Sequence, residues 1–252
     1  MRLNRRSFLM SAASATALGA SDAALAQLSQ PAIASNAQVA LNALVDRAYQ
    51  DIVLADPETR TLLGLDTGEN ASAKALLRDR STTGIGIDRQ KVRNLYQALQ
   101  AVPRDVLTGM DAVNYDTVNQ LCETLVYAYD NFDYGTHGLS DPYAWPEPYT
   151  VSQLGGAYQS IPDFLDNQHS IETAADAQAY LSRLSAFATQ LDNETARLAR
   201  EYGMGITPPG FVIDKTIAQM DILLATAPAQ SGLTTSIARR AADKNIAGDG
   251  AA

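Results

Sequence analysis

Cysteine, histidine, tryptophan and positive charge are all scarce in this 252-residue chain. Cys122 is the only cysteine, so no disulfide framework can form within the chain and stability has to come from packing. The two histidines, His137 and His169, lie far apart in sequence. A zinc-peptidase helix sets two histidines four residues apart so that both imidazoles share a face, and neither histidine here has such a partner. No G-x-S-x-G elbow, P-loop or G-x-G-x-x-G turn is present. The nearest approach to a calcium loop, Asn131-Phe132-Asp133-Tyr134-Gly135, brings its glycine one position too early. Basic residues number 19 against 28 acidic ones, a formal charge of −9, which leaves no electrostatic footprint for a phosphate backbone. A nucleic-acid partner is therefore not expected.

What is present begins with an address. Arg5 and Arg6 precede Ser7-Phe8-Leu9, an Ala-rich run follows from Ala12 to Ala20, and Ala24-Leu25-Ala26 offers a small-residue cleavage site. This order of features is that of a twin-arginine export signal spanning residues 1–26, cut after Ala26. It predicts a periplasmic or secreted protein, with the twin-arginine translocase as its partner during export. Beyond the leader no apolar run is long enough to cross a bilayer, so no membrane anchor is expected after cleavage.

The rest reads as helices joined by Pro/Gly loops, without a convincing period-2 strand. Ser35-Asn36-Ala37-Gln38 has capping-box form and leads into Leu41, Leu44, Val45, Ala48 and Ile52. Asp56-Pro57 starts a short helix that stops at Gly64, and a loose helix is expected over residues 71–80. Asp88 is read as the cap of a helix ended by Pro103. A longer helix begins at Asp111, with Val118, Leu121, Cys122, Leu125, Val126 and Tyr129 on one face. Cys122 falls inside that stripe and is read as a small buried hydrophobe. Residues 135–162 form a long irregular segment with Pro142, Pro146, Pro148 and Gly155-Gly156. Thr173-Ala174-Ala175-Asp176 then caps the longest helix, whose stripe is Ala177, Tyr180, Leu181, Leu184, Phe187, Ala188, Leu191 and Leu198. Helices over 212–224 and 232–245 complete the pattern. The expected class is all-α, a bundle-like or orthogonal array of helices with one long Pro/aromatic loop, and an incomplete fold. Its parts are the signal 1–26, a lead-in 27–39, a helical portion 40–247 and a disordered end 248–252.

Two constellations carry candidate chemistry. Tyr143, Trp145, Tyr149 and Tyr158, interleaved with Ser152, Gln153 and Gln159, offer stacking faces and hydrogen-bonding groups for a peptide or glycan. Tyr149, Ser152, Gln153, Tyr158 and Gln159 are the candidate substrate-binding set. The competing reading is a loop whose rings pack on the helices beneath. Asp163, Asp166 and His169, three apart, are an outside candidate for a divalent ion. Against it, Asp163 suits the positive end of a short helix and His169 the negative end.

Several segments resemble an exported bacterial family, domain of unknown function number 885. They are Asp56-Pro57-Glu58, Leu63-Gly64-Leu65-Asp66-Thr67-Gly68, Met110-Asp111-Ala112-Val113-Asn114-Tyr115-Asp116-Thr117 and above all Pro148-Tyr149-Thr150-Val151-Ser152-Gln153-Leu154-Gly155-Gly156-Ala157-Tyr158-Gln159-Ser160-Ile161-Pro162-Asp163-Phe164-Leu165. The resemblance covers essentially residues 40–247 and is to the N-terminal half of longer proteins. It implies a zinc carboxypeptidase-like, metal-dependent hydrolase acting on peptides, whose zinc is held by a His-Glu-x-x-Pro-Gly-His helix. No residue of this sequence matches that motif. The expectation is therefore an exported portion without catalytic residues or cofactor of its own, zinc belonging to a full-length member. The alternative is a self-sufficient periplasmic helical module that binds a peptide or glycan.

Overall fold

The computed structural model describes residues 36–136 and 147–246. The leader with Arg5, Arg6 and Ala26, the start of the first capping box at Ser35, the loop residues His137, Tyr143 and Trp145, and the 248–252 end lie outside the described residues.

The architecture is all-α. Among the described residues there is no strand, only one antiparallel bridge between Thr136 and Glu147. The helices are α1 Asn36–Ala48, α2 Pro57–Leu62, α3 Thr82–Gln100, α4 Gly109–Asn131, α5 Ala157–Asn167, α6 Ala174–Gly203, α7 Gly210–Ala225 and α8 Gly232–Asp243. The described residues form two compact units, those within 36–49 and 93–124 and those within 50–92 and 125–246. In the first, Ala37, Leu41, Leu99, Val102, Leu107 and Tyr115 form the buried core, and Gln38 donates from its amide to Asp111. In the second, Ala157, Ile161, Phe164, Leu165, Ile171 and Tyr180 form the core, with Leu184, Phe187, Leu191, Leu233 and Ile237 packed around it. There α6 packs against α5, α8 and the 3₁₀ turn Gly68–Ala75, the contacts that position the site below.

Local chemistry explains where these helices start. Asp56 caps α2, its carboxylate accepting from Thr59 N at 2.7 Å, with Pro57 in the first turn where a missing N–H costs nothing. Thr173 and Asp176 form a reciprocal capping box on α6.

Four expectations are corrected. The third helix starts at Thr82, not Asp88, because Ser81 Oγ accepts from Gly84 N and opens the helix a turn and a half earlier. Gly84 is the residue that permits this, since a Cβ there would lie 2.4 Å from the Asp79 carbonyl oxygen. The stretch expected as a loose helix over 71–80 is instead a 3₁₀ turn over 68–75 followed by extended backbone. Pro162 lies inside α5 instead of ending the irregular segment; its ring removes one ladder hydrogen bond, and the buried Ile161, Phe164 and Leu165 carry the helix past it. Finally, the predicted stripes on α4 and α6 each include an exposed leucine, Leu121 and Leu181. On α6 the reason is a second buried face, and it is polar.

Candidate functional site

Arg183, Gln190, Glu194, Arg197 and Glu201 recur at spacings of seven, four, three and four, which keeps them in one narrow stripe along α6. All five are buried. The apolar stripe of Tyr180, Leu184, Phe187 and Leu191 runs beside it, roughly a quarter turn away. Burying such a row without partners would cost several kcal/mol per charge, so each member has an acceptor or donor waiting.

Arg183 has no exposure and reaches in three directions. Its Nε donates to the Leu76 carbonyl at 2.9 Å, Nη2 to Thr61 Oγ1 at 2.7 Å and the Ala73 carbonyl at 3.1 Å, and Nη1 to His169 Nδ1 at 2.8 Å. The guanidinium also stacks on Phe164, 4.7 Å from the ring centre. Burial lowers its pKa to about 10, countered in part by Glu58, Asp66 and Asp56 nearby. Next along the stripe, Gln190 Oε1 accepts from Arg80 N at 2.9 Å. Arg80 closes a bidentate pair with Glu58 at 2.8 and 3.0 Å. Burial alone would raise the Glu58 pKa; Arg80 and Arg78 outweigh it and hold the carboxyl at about 2. Glu194 accepts from Ala157 N at 2.8 Å, satisfying a donor at the start of α5, and burial pushes its carboxyl upward.

The last two members hold the irregular segment. Arg197 donates to the Gly135 carbonyl at 2.7 Å, while Glu201 accepts from Gly135 N at 3.0 Å and from the Thr150 hydroxyl. Gly135 sits at φ +70°, and a Cβ there would meet the Glu147 carbonyl oxygen at 2.2 Å. Only glycine lets the two chain segments close at this point.

The candidate binding set divides in the structure. Ser152 and Tyr158 are buried, with the Tyr158 hydroxyl 2.8 Å from the Ser152 carbonyl and 2.6 Å from Gln219 Oε1 of α7. Ser152 Oγ donates to Glu147 Oε2 at 3.1 Å. These two groups secure the loop from within. Tyr149, Gln153 and Gln159 are half-buried, and Gln159 Nε2 donates to the Gln153 carbonyl at 2.9 Å. Gln153 Oε1 is buried and finds no donor among the described residues.

Asp163, Asp166 and His169 are not brought together. Asp163 accepts from Asn167 Nδ2 and Asp166 from the Ser236 hydroxyl. His169 is fully buried between the Arg183 guanidinium and the Asp176 carbonyl, 2.9 Å from Nε2. With Arg183 donating to Nδ1, the proton is on Nε2 and the ring is neutral. Burial lowers its pKa to about 4. Among the described residues, no group of three or more His, Cys, Asp or Glu is placed to hold a metal ion. Cys122 is likewise inert: it is fully buried, and burial pushes its thiol to about 11.

Sequence reasoning missed Glu58, Arg80 and the polar stripe of α6. The stripe's spacing was visible, but a polar stripe ordinarily faces water.

An open cleft of about 130 Å³ is lined by Thr82, Ile85 and Arg89 of α3, by Asp133 and Tyr134 beyond α4, and by Arg197, Arg200 and Glu201 at the end of α6. With the loop and cleft so placed, the family model described as "Bacterial protein of unknown function (DUF885)" matches residues 57–252. The chain belongs to that family. The matched span takes in α6, both segments it holds and the cleft, so in this DUF885 protein the polar spine is part of the family's domain. No curated protein and no solved structure matches the chain.

Proposed function

We propose that this DUF885 protein is the helical, non-catalytic portion of an exported, metal-dependent peptidase-like hydrolase. In this reading the loop around residues 147–159 forms one wall of a substrate groove. Tyr149, Gln153 and Gln159 face a bound peptide there, and Ser152 and Tyr158 fix the loop's shape. The observation that carries it is the bracing of this loop, the segment most like the peptidase-like family, by Glu194 and Glu201 of α6. A wall that must present side chains to a substrate gains from such preorganisation. No group of His, Cys, Asp and Glu among the described residues is placed to hold zinc, and this reading assigns them no catalytic step. The twin-arginine pattern at Arg5-Arg6 supports export and a periplasmic or secreted location.

The 252-residue chain, purified and measured by elemental analysis and peptide-cleavage assay, should carry no stoichiometric zinc and cleave no peptide in a chelator-sensitive way. Robust chelator-sensitive cleavage would overturn this reading. Intact mass of the protein recovered from the source cell's periplasm tests export: an N-terminus at Gln27 is expected, and retention of residues 1–26 in a cytoplasmic protein would contradict it.

A further inference from the structure

The cleft is a positive site in an acidic chain. Three guanidiniums, Arg89, Arg197 and Arg200, line it against two carboxylates, Asp133 and Glu201, although the whole chain carries −9. Glu201 accepts from Gly135 N and the Thr150 hydroxyl, and its charge lies close enough to Arg197 to stabilise that guanidinium. Among the described residues the Asp133 carboxylate is the one that pairs with Arg89 and Arg200. It bridges Arg89 Nη1 and Arg200 Nη2, while Arg200 Nη1 donates to the Asp133 carbonyl at 2.7 Å. Asp133 nonetheless lies at the surface, its side chain 53 % exposed, on a turn outside any helix. Behind it, Arg89 Nε is buried and has no acceptor among the described residues. The rest of that side chain is fixed by the Tyr129 ring, 5.3 Å from the guanidinium carbon. The helix ends at the cleft do not decide its sign, since the N-terminus of α3 and the C-terminus of α6 contribute comparable and opposite partial charges.

We propose that this cleft binds a small oxyanion, a carboxylate or a phosphate group, in the place the Asp133 carboxylate now takes. Asp133 is an internal stand-in for the ligand: it occupies the fork of Arg89 and Arg200 and swings out on its exposed turn when the ligand enters. The incoming anion exchanges one carboxylate contact for another of the same kind and gains the buried Arg89 Nε, which Asp133 does not reach. Arg197, buried beside Glu201 and Glu194 and donating to the Gly135 carbonyl, forms the inner wall of the cleft. This inference stands apart from the hydrolase reading, because it concerns binding alone and needs neither metal nor turnover.

Calorimetric titration of the full chain with sodium phosphate and, separately, sodium acetate, each at ionic strength matched with sodium chloride, tests it. Saturable binding of one anion and not of chloride is expected, and the tighter of the two identifies the ligand's chemistry. Asp133→Asn, which removes the competing charge, should tighten binding about tenfold, and Arg200→Gln should weaken it about tenfold. Arg89→Met should abolish it; because that residue also packs on Tyr129, its melting curve is compared with the parent's, and the exposed Arg200→Gln carries the test if it is destabilised. Absence of saturable binding of either anion, or an Asp133→Asn chain that binds no more tightly than the parent, overturns the proposal.

Discussion

Arg183 holds a positive charge at zero exposure with no carboxylate among the described residues in contact, relying on three backbone carbonyls, a threonine hydroxyl and a histidine nitrogen. Such a group is stable only while every N–H is satisfied, because the low-dielectric surroundings multiply the cost of any one left open. Arg183→Met keeps much of the volume and removes every donor, stranding the Leu76 and Ala73 carbonyls and His169 Nδ1. It should destabilise the protein by about 3 kcal/mol, read as a lower urea midpoint at unchanged slope. Arg183→Lys should recover little of that loss, since one ammonium cannot reach acceptors spread around a planar fork. A lysine variant as stable as the parent would show that charge, and not geometry, is what the pocket requires.

At the scale of elements, α5 and α7 make a contrast. Leu165 of α5 is fully buried in the core with Tyr180, whereas Leu224 of α7 is 83 % exposed and only Val212 and Thr216 of that helix are buried. Leu165→Ala should cost about 2–5 kcal/mol and Leu224→Ala under about 0.5 kcal/mol in equilibrium denaturation. Periodicity gave α7 an apolar stripe and left most of α5 inside an irregular segment, and that marks the limit of what was legible. The class, the caps at Asp56 and Thr173, and the core positions Leu41, Cys122, Leu125 and Tyr180 followed from spacing and side-chain chemistry. Burial of Arg183, Gln190, Glu194, Arg197 and Glu201 did not, because it depends on donors and acceptors from residues 57–80 and 135–157 that only the tertiary fold delivers. The irregular backbone over 147–156 was legible from its proline and glycines. Which of its residues point inward was not legible, since alternation in an irregular segment has no fixed period.

For the whole molecule, the same polar interior sets the response to acid. His169 falls from an ordinary 6.5 to about 4 in the fold, so between those values the unfolded chain takes up a proton that the folded chain refuses. Stability from this group is complete above 6.5 and declines as pH falls toward 4, by on the order of 2–3 kcal/mol. Glu58 and Asp176, both held at about 2 although burial opposes it, Glu58 by Arg80 and Asp176 by Lys74, add a second decline below about 4.5. Glu194, shifted upward by burial, takes its proton in the fold above the ordinary 4.5 and so partly opposes the first decline. Melting temperature measured from pH 8 to 3 should therefore drop in two stages, and His169→Gln should remove most of the first. A His169→Gln chain whose curve between pH 6.5 and 4.5 keeps the parent's slope would contradict a buried neutral imidazole. The spine of α6 also fixes a length. Adding one residue between Arg183 and Glu194 would rotate everything beyond it by about 100° and carry Glu194, Arg197 and Glu201 off their partners, with Arg183 still seated. Relatives that keep both segments in place are thus free to vary their loop lengths, but the count from Arg183 to Glu201 has to stay constant, and an alignment gap inside that interval would mark a relative in which the two segments no longer answer to one helix.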